Sequence, residues 1–432
     1  MAVKRGWEKL AAEQKKVIDN GFSSGNALIC GGREGVFFEN YEGAVRAGDD
    51  APVTENTIFH LYSMTKIFTV TAALMLAEQG KIDIDAPVSR YIEEYARATV
   101  YKDGKVLPAT ETMTVRMLFT MTSGLTYLID DESGGAAALA ERWRSDLREG
   151  RHWDNLKFAR ELAAVPLEFE PGERFRYGLS HDVLGAIIEL VSGVSLDRFF
   201  EDNIFRPLGM NRTFFRQKLP PELESRLADN TSFEDGWFVR IPLPPKPVPI
   251  PLFEGIDDEA ILSGGAGLVG TARDYGLFLA EFLRPGNRLL SPESVVFLTS
   301  AKLSVPQRAF YNVPGSDNSI FGPEHSFAFG VRVQDKPAAS GSGSVGEWGW
   351  SGALGTWFFV SPRDDVWFVY MHQHTPANHD TYIAGLRNTF YDILKKAEQG
   401  TETGFSTAER GTETGFSGFS TGNGVQRHDS GC

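Results

Sequence analysis

Residues 60–88 read His60-Leu-Tyr-Ser-Met-Thr-Lys-Ile-Phe-Thr-Val-Thr-Ala-Ala-Leu-Met-Leu-Ala-Glu-Gln-Gly-Lys-Ile-Asp-Ile-Asp-Ala-Pro-Val88. From Ser63 onward, Ile67, Val70, Ala73, Leu74, Leu76 and Ala77 recur with helical period, and Gly80 stops the run. On a helix, positions i and i+3 share a face, so this reading sets the Lys66 amine beside the Ser63 hydroxyl. The positive end of the helix dipole then lies beneath that hydroxyl. A serine hydroxyl is a poor nucleophile until a base takes its proton, and a lysine helps only where burial or a nearby cation lowers its pKa. Taken alone, S-x-x-K is also the pattern of a capping serine followed by a lysine one turn later. The rest of the chain has to decide between the two.

Four further blocks stand in a fixed order. They are Val115-Arg-Met-Leu-Phe-Thr-Met-Thr-Ser-Gly-Leu-Thr126, Glu170-Pro-Gly-Glu-Arg-Phe-Arg-Tyr-Gly-Leu-Ser-His-Asp-Val-Leu-Gly185, Gly264-Gly-Ala-Gly-Leu-Val-Gly-Thr-Ala-Arg-Asp-Tyr275 and Trp348-Gly-Trp-Ser-Gly-Ala-Leu-Gly-Thr-Trp-Phe-Phe-Val-Ser-Pro362. With the first stretch, they resemble the serine β-lactamase-like proteins over about residues 10–397. The resemblance implies Ser63 as nucleophile, with Lys66 and Tyr177 as its proton-transfer partners. It also implies an oxyanion hole from the backbone N–H groups of Ser63 and Trp350. Tyr62, Ser123, Tyr127, Trp348, Gly349, Ser351 and Gly352 become candidates for the pocket wall. A tyrosine titrates near ~10, so Tyr177 acts as a base only with the Lys66 charge close by, and the two titrate as a pair.

Two departures shift the expected substrate. Where lactam-cleaving members carry Tyr-x-Asn, this chain has Tyr177-Gly178-Leu179. Where they carry a cation before Thr-Gly, counting back from Pro362 gives Glu347-Trp348-Gly349. Without that cation, a lactam or peptide carboxylate lacks its natural partner. Both departures resemble the family VIII carboxylesterases, in which Trp350-Ser351-Gly352 is the matching Trp-x-Gly. The expectation is an esterase that works through acyl-Ser63 and needs no cofactor or metal. Acyl transfer by the same intermediate, lactam or D-amino peptide cleavage, and a non-turnover acylated sensor are the alternatives.

The order of elements predicts an α+β fold: an antiparallel β-sheet flanked by helices, with an inserted, mostly helical subdomain. The domain spans 1–397, with sheet portions at about 1–62 and 265–397 and a helical and loop portion at about 63–264. A hairpin is read around Ala27–Phe38, and helices over 7–20, 182–190, 271–284, 291–302 and 380–397. Strands are expected at Phe327–Val333, Thr356–Val360 and Val366–Met371. Residues 241–252 carry too many prolines for helix or central strand and read as polyproline-like. The tail 398–432 repeats Gly-Thr-Glu-Thr-Gly-Phe-Ser, a composition that buries little apolar area and reads as disordered.

The chain of 432 residues has 43 Lys and Arg against 57 Asp and Glu, a net charge of −14. That balance, without a basic cluster, argues against nucleic acid or an anionic membrane as partner and leaves a small-molecule ester. Oligomeric state is not readable. Two cysteines, Cys30 and Cys432, make no disulfide framework, and no secretory or spanning stretch is evident, which predicts a cytoplasmic protein. Gly265-Ala-Gly-Leu-Val-Gly270 matches a dinucleotide fingerprint, but lacks a preceding apolar strand and reads as a glycine-rich wall. Ser351 misses a nucleophile elbow by one residue. His372, His374 and His379 lack the companions of a metal site, and His181 reads as a surface or helix-start residue.

Overall fold

The computed structural model describes residues 2–48, 50–128, 131–241, 260–311, 323–337 and 343–398. The chain opens with α1 (Ala2–Asp19) and the hairpin of β1 (Gly25–Gly32) and β2 (Gly35–Gly43). A 3₁₀ turn, Tyr62–Thr65, then runs directly into α2 (Lys66–Glu78). Further along come α3 (Ser180–Ser192), β3 (Leu268–Gly270), α4 (Ala272–Glu281) and α5 (Pro292–Thr299). The chain closes with β4 (His325–Phe327), β5 (Arg332–Gln334), β6 (Trp348–Ser351), β7 (Trp357–Ser361), β8 (Val366–His372) and α6 (His379–Glu398).

Seven of these strands form one antiparallel sheet in the order β4-β5-β6-β7-β8-β1-β2, so the first hairpin closes against the last strand. Side chains alternate across it, as the two-residue period of a strand requires. Leu28 and Cys30 of β1 join Phe368 and Tyr370 of β8 in a core with Trp7 and Leu10 of α1 and Phe390 of α6. Ala27 and Ile29 face the other way, with Trp367, Val369 and Met371, into a larger core shared with α2, α3 and α4. The sheet is thus covered on both faces, which is why β1 and β8 are buried along their whole length. The expected α+β architecture is present. No helix among the described residues is long and apolar enough to cross a membrane.

Three elements differ from their reading in the sequence. The strand expected over Phe327–Val333 is two short strands, β4 and β5, because Gly330 turns the chain with φ +74°. α2 starts at Lys66 rather than at Ser63, and ten of its residues from Lys66 to Leu76 are buried, on every side of the helix. Ser63 lies in the 3₁₀ turn ahead of α2 rather than on the α-helix. From residue 242, the proline-rich segment lies outside the described residues, and so does the tail from 399.

Candidate active site

The turn that carries Ser63 is fastened from three sides. Phe59 and His60 pair with β3, and Leu61 N–H donates to Leu268 O at 2.9 Å. Tyr275 of α4 donates its hydroxyl to Met64 O at 3.0 Å. Tyr62, immediately before Ser63, has φ +44°, a left-handed conformation that costs a non-glycine residue roughly 1–2 kcal/mol. Strain of that kind persists only where the surroundings over-determine it, as the bonds on either side do here. In a 3₁₀ turn, residues i and i+3 eclipse, so the tighter geometry keeps Lys66 under Ser63. Lys66 Nζ lies 3.4 Å from Ser63 Oγ.

Lys66 is completely buried, and its other donors have definite acceptors. Nζ lies 2.8 Å from Gly265 O and 3.0 Å from the Tyr127 hydroxyl, with the Tyr177 ring centroid 4.6 Å away. Burial alone would push the ammonium's pKa down. The Tyr127 and Tyr177 oxygens and the Asp182 carboxylate outweigh it and hold Lys66 above the ordinary lysine value. Tyr177 moves upward too, because its burial exceeds the pull of Lys66.

Tyr177 is placed by its neighbours in sequence and in space. At Gly178, an added Cβ would stand 2.4 Å from Leu125 O and 2.5 Å from Thr126 Cα. Only glycine lets these two loops touch, and their contact brings the Tyr127 and Tyr177 rings to 5.6 Å. The Tyr177 oxygen accepts a hydrogen bond from Trp350 Nε1 at 2.8 Å, and Lys66 and Ser63 both pull its pKa down, against its burial. The Trp350 ring stacks obliquely on Tyr177 and meets Phe327 edge-on, both at 5.2 Å. Ser63, Lys66, Tyr127, Tyr177 and Trp350 therefore form one connected cluster, drawn from four separate stretches of chain.

The family model described as Beta-lactamase matches residues 9–388. The chain belongs to the beta-lactamase family. It is 30% identical over 337 residues to Esterase EstB of Burkholderia gladioli, covering 75% of this chain and 79% of that protein. It is 27% identical over 346 residues to Acyltransferase calJ of Penicillium decumbens, covering 76% and 78%. Among solved structures, EstCE1, a hydrolase with promiscuous acyltransferase activity, superposes with a TM-score of 0.71 at 24% identity, covering 90% of this chain and 99% of that one.

Against that family background, several sequence-read residues sit elsewhere than expected. Trp348 is fully buried against Phe282 and Phe358, so it packs the core and does not line the site. Gly349 is buried in the ladder opposite Phe359. Ser123 is fully buried and bonded to Ser180 Oγ at 2.9 Å, which places it behind the Tyr177 loop. Glu347 is locked by Arg332 at 2.7 Å, Arg387 at 3.1 Å and the Tyr391 hydroxyl at 2.5 Å, away from Ser63. Leu179 is wholly in the core. Tyr62 and Ser351 are half-buried, and a Cβ on Gly352 would stand 2.5 Å from Leu61 O, so the end of β6 does border the nucleophile turn.

The Trp350 N–H needs correction as an oxyanion donor. Gly352 N–H bonds Thr356 O at 2.7 Å, and two residues back along the antiparallel ladder Trp350 stands opposite Phe358. Bonded pairs alternate in such a ladder, so the Trp350 N–H is committed to β7. The N–H groups off the opposite edge belong to Ser351 and, in the turn, Ala353. His181 is no surface residue either: it is fully buried in α3, and burial pushes its pKa down to about 3. His372 and His374 are buried and bonded to Tyr370 and Thr231, both at 3.1 Å. Sequence reading missed Asp182 and Ser263, both buried beside Lys66. A carboxylate inside the apolar run Leu179–Ile188 was the available signal.

Proposed function

We propose that the protein cleaves carboxylic esters through an acyl-Ser63 intermediate. The observation that carries this reading is the set of acceptors around the buried Lys66 Nζ: Ser63 Oγ, the Tyr127 hydroxyl and Gly265 O. An ammonium has three N–H donors, and three acceptors surround it, so Lys66 is held charged. A charged lysine is not the base. That role falls to Tyr177: the ammonium beside it and the Trp350 indole N–H pull it towards phenolate, against the burial that holds its pKa above the ordinary value. Ser63 passes its proton to Tyr177 as Oγ attacks the ester carbonyl. Tyr177 then returns the proton to the departing alkoxide, and water repeats the sequence on the acyl-enzyme. Proton transfer of this kind is worth ~10²–10⁴ in rate. Ser63 N–H, with Ser351 or Ala353 N–H from the end of β6 beyond its pairing with β5, supplies the oxyanion donors, each worth ~10²–10³.

The stretch around Trp350 has no cation of the kind lactam-cleaving relatives carry, and the Trp350 indole nitrogen is engaged by Tyr177, which favours a neutral ester over an anionic lactam. The likeness to Acyltransferase calJ supports a second outcome, in which an alcohol replaces water in the second half-reaction. The assay offers p-nitrophenyl acetate and butyrate, a chromogenic cephalosporin and a D-amino amide, each with and without an alcohol acceptor. Ester turnover well above the other two supports the reading. Dominant cephalosporin turnover overturns it, and a stoichiometric burst without turnover indicates a sensor.

A further inference from the structure

The carboxylate of Asp182 lies in the first turn of α3, with the residue only 5% exposed. Oδ1 accepts Ser263 Oγ–H at 2.5 Å and Gly265 N–H at 3.3 Å. Oδ2 is buried and makes no hydrogen bond. A Cβ added to Gly265 would stand 2.7 Å from Oδ2 and 3.3 Å from Lys66 Nζ, so the carboxylate and the ammonium both approach the space that this glycine leaves open. Gly265 also offers its carbonyl to Lys66, and Gly264 O accepts Thr69 Oγ1–H at 2.6 Å. The glycine run that mimics a nucleotide fingerprint is therefore the strip joining a buried carboxylate, one of whose oxygens makes no hydrogen bond, to the buried lysine.

We infer that Asp182 is a positioning residue for Lys66: through Ser263 and Gly265 it fixes the carbonyl that aims the amine, and its charge, acting across Gly265, keeps that amine protonated. The inference deepens the ester reading above and rests on it. The other titratable groups facing this pair are the Tyr127 and Tyr177 hydroxyls, from the loops ahead of α3, and His181. The imidazole is neutral at ordinary pH. Asp182 itself is pushed upward by burial, against the pull of Lys66, Ser263 and Gly265. Among the described residues, Asp182 is the carboxylate that raises Lys66, so removing it removes that negative neighbour.

The test compares pH profiles of kcat/KM for p-nitrophenyl butyrate, and of the rate at which a fluorophosphonate labels Ser63, in wild type and Asp182→Asn. Asparagine keeps the shape and an acceptor for Ser263 but carries no charge. Losing a negative neighbour makes every nearby proton easier to remove, so the rising limb, which reports the proton shared by Lys66 and Tyr177, moves to lower pH by about one unit. Gly265→Ala, whose methyl pushes the carboxylate away, moves the limb the same way and serves if Asp182→Asn does not fold. Ser263→Ala lowers turnover with the limb in place, because the charge remains. Folded Asp182→Asn and Gly265→Ala enzymes with unshifted limbs overturn the inference and leave the ester reading standing. A wild type inert to ester and fluorophosphonate alike overturns both.

Discussion

Replacing Trp350 by phenylalanine removes one hydrogen bond from Tyr177 and keeps an aromatic ring against Phe327. In the resting enzyme, Trp350 Nε1 donates at 2.8 Å to a phenol. The reactive form has lost the phenol proton to solvent, and at the transition state the same nitrogen donates to an oxygen that still carries part of the phenolate charge while it takes the proton from Ser63. A hydrogen bond to a neutral group contributes about 0.5–1.5 kcal/mol and one to a charged group about 1.5–3 kcal/mol. Only the difference between the two states accelerates the reaction, and it comes to about 1–2 kcal/mol. Trp350→Phe therefore lowers kcat/KM by roughly 5- to 30-fold. Because the lost donor favoured phenolate, the rising limb of the pH profile moves to higher pH, opposite to Asp182→Asn. The assay is p-nitrophenyl butyrate hydrolysis from pH 6 to about 9.5, with thermal melting alongside to register the loss of ring packing. A kcat/KM within twofold of wild type, on an unmoved limb, refutes the assignment of Tyr177 as the base.

Two further outcomes follow from the same geometry. Tyr127→Phe takes away one of the three acceptors around a buried ammonium, and leaving a buried donor unsatisfied costs about 1–3 kcal/mol. A drop in kcat/KM of about tenfold or more with folding intact is expected from steady-state kinetics, and an unaffected enzyme shows that Lys66 does not use this partner. Glu347→Gln acts on stability and not on the site. Burial raises the Glu347 carboxyl, but Arg387 and Arg332 outweigh it, so its folded pKa lies below the ordinary 4.5. Its stabilisation is thus present above that value and is lost as pH falls through the folded pKa. The variant leaves two arginines under-compensated, at a cost of about 3–5 kcal/mol, and melting profiles between pH 7 and 3 show a lower midpoint with a weaker acid dependence. A variant melting like wild type at pH 7 contradicts this.

Much of the cluster was legible because its parts are local or carry composition. Ser63 and Lys66 are three residues apart, and both α and 3₁₀ turns place such a pair on one side. Tyr177 and Trp350 lie in blocks whose order was informative. The sheet was legible through the strand-like runs at Val366–Met371 and Ala27–Ile29, and α6 through its amphipathic period. What escaped depends on distant contacts. Tyr127 meets Lys66 across 61 positions, through loops that touch only because residue 178 is glycine. Asp182 looked like an ordinary acid in the first turn of a helix, and the fold buries it. The direction of the Trp350 N–H follows from ladder register, which a sequence does not carry. Trp348 and Trp350 share a motif, yet the first packs against Phe282 in the core and the second against Tyr177.

The central claim is a covalent acyl group on Ser63. Rapid mixing with p-nitrophenyl butyrate, acid quenching and intact-mass measurement, followed by peptide mapping, reads it directly. The account predicts a single butyryl adduct on the peptide containing Ser63, formed during turnover, and neither adduct nor turnover in Ser63→Ala. An adduct on another residue, or ester turnover that survives Ser63→Ala, contradicts it.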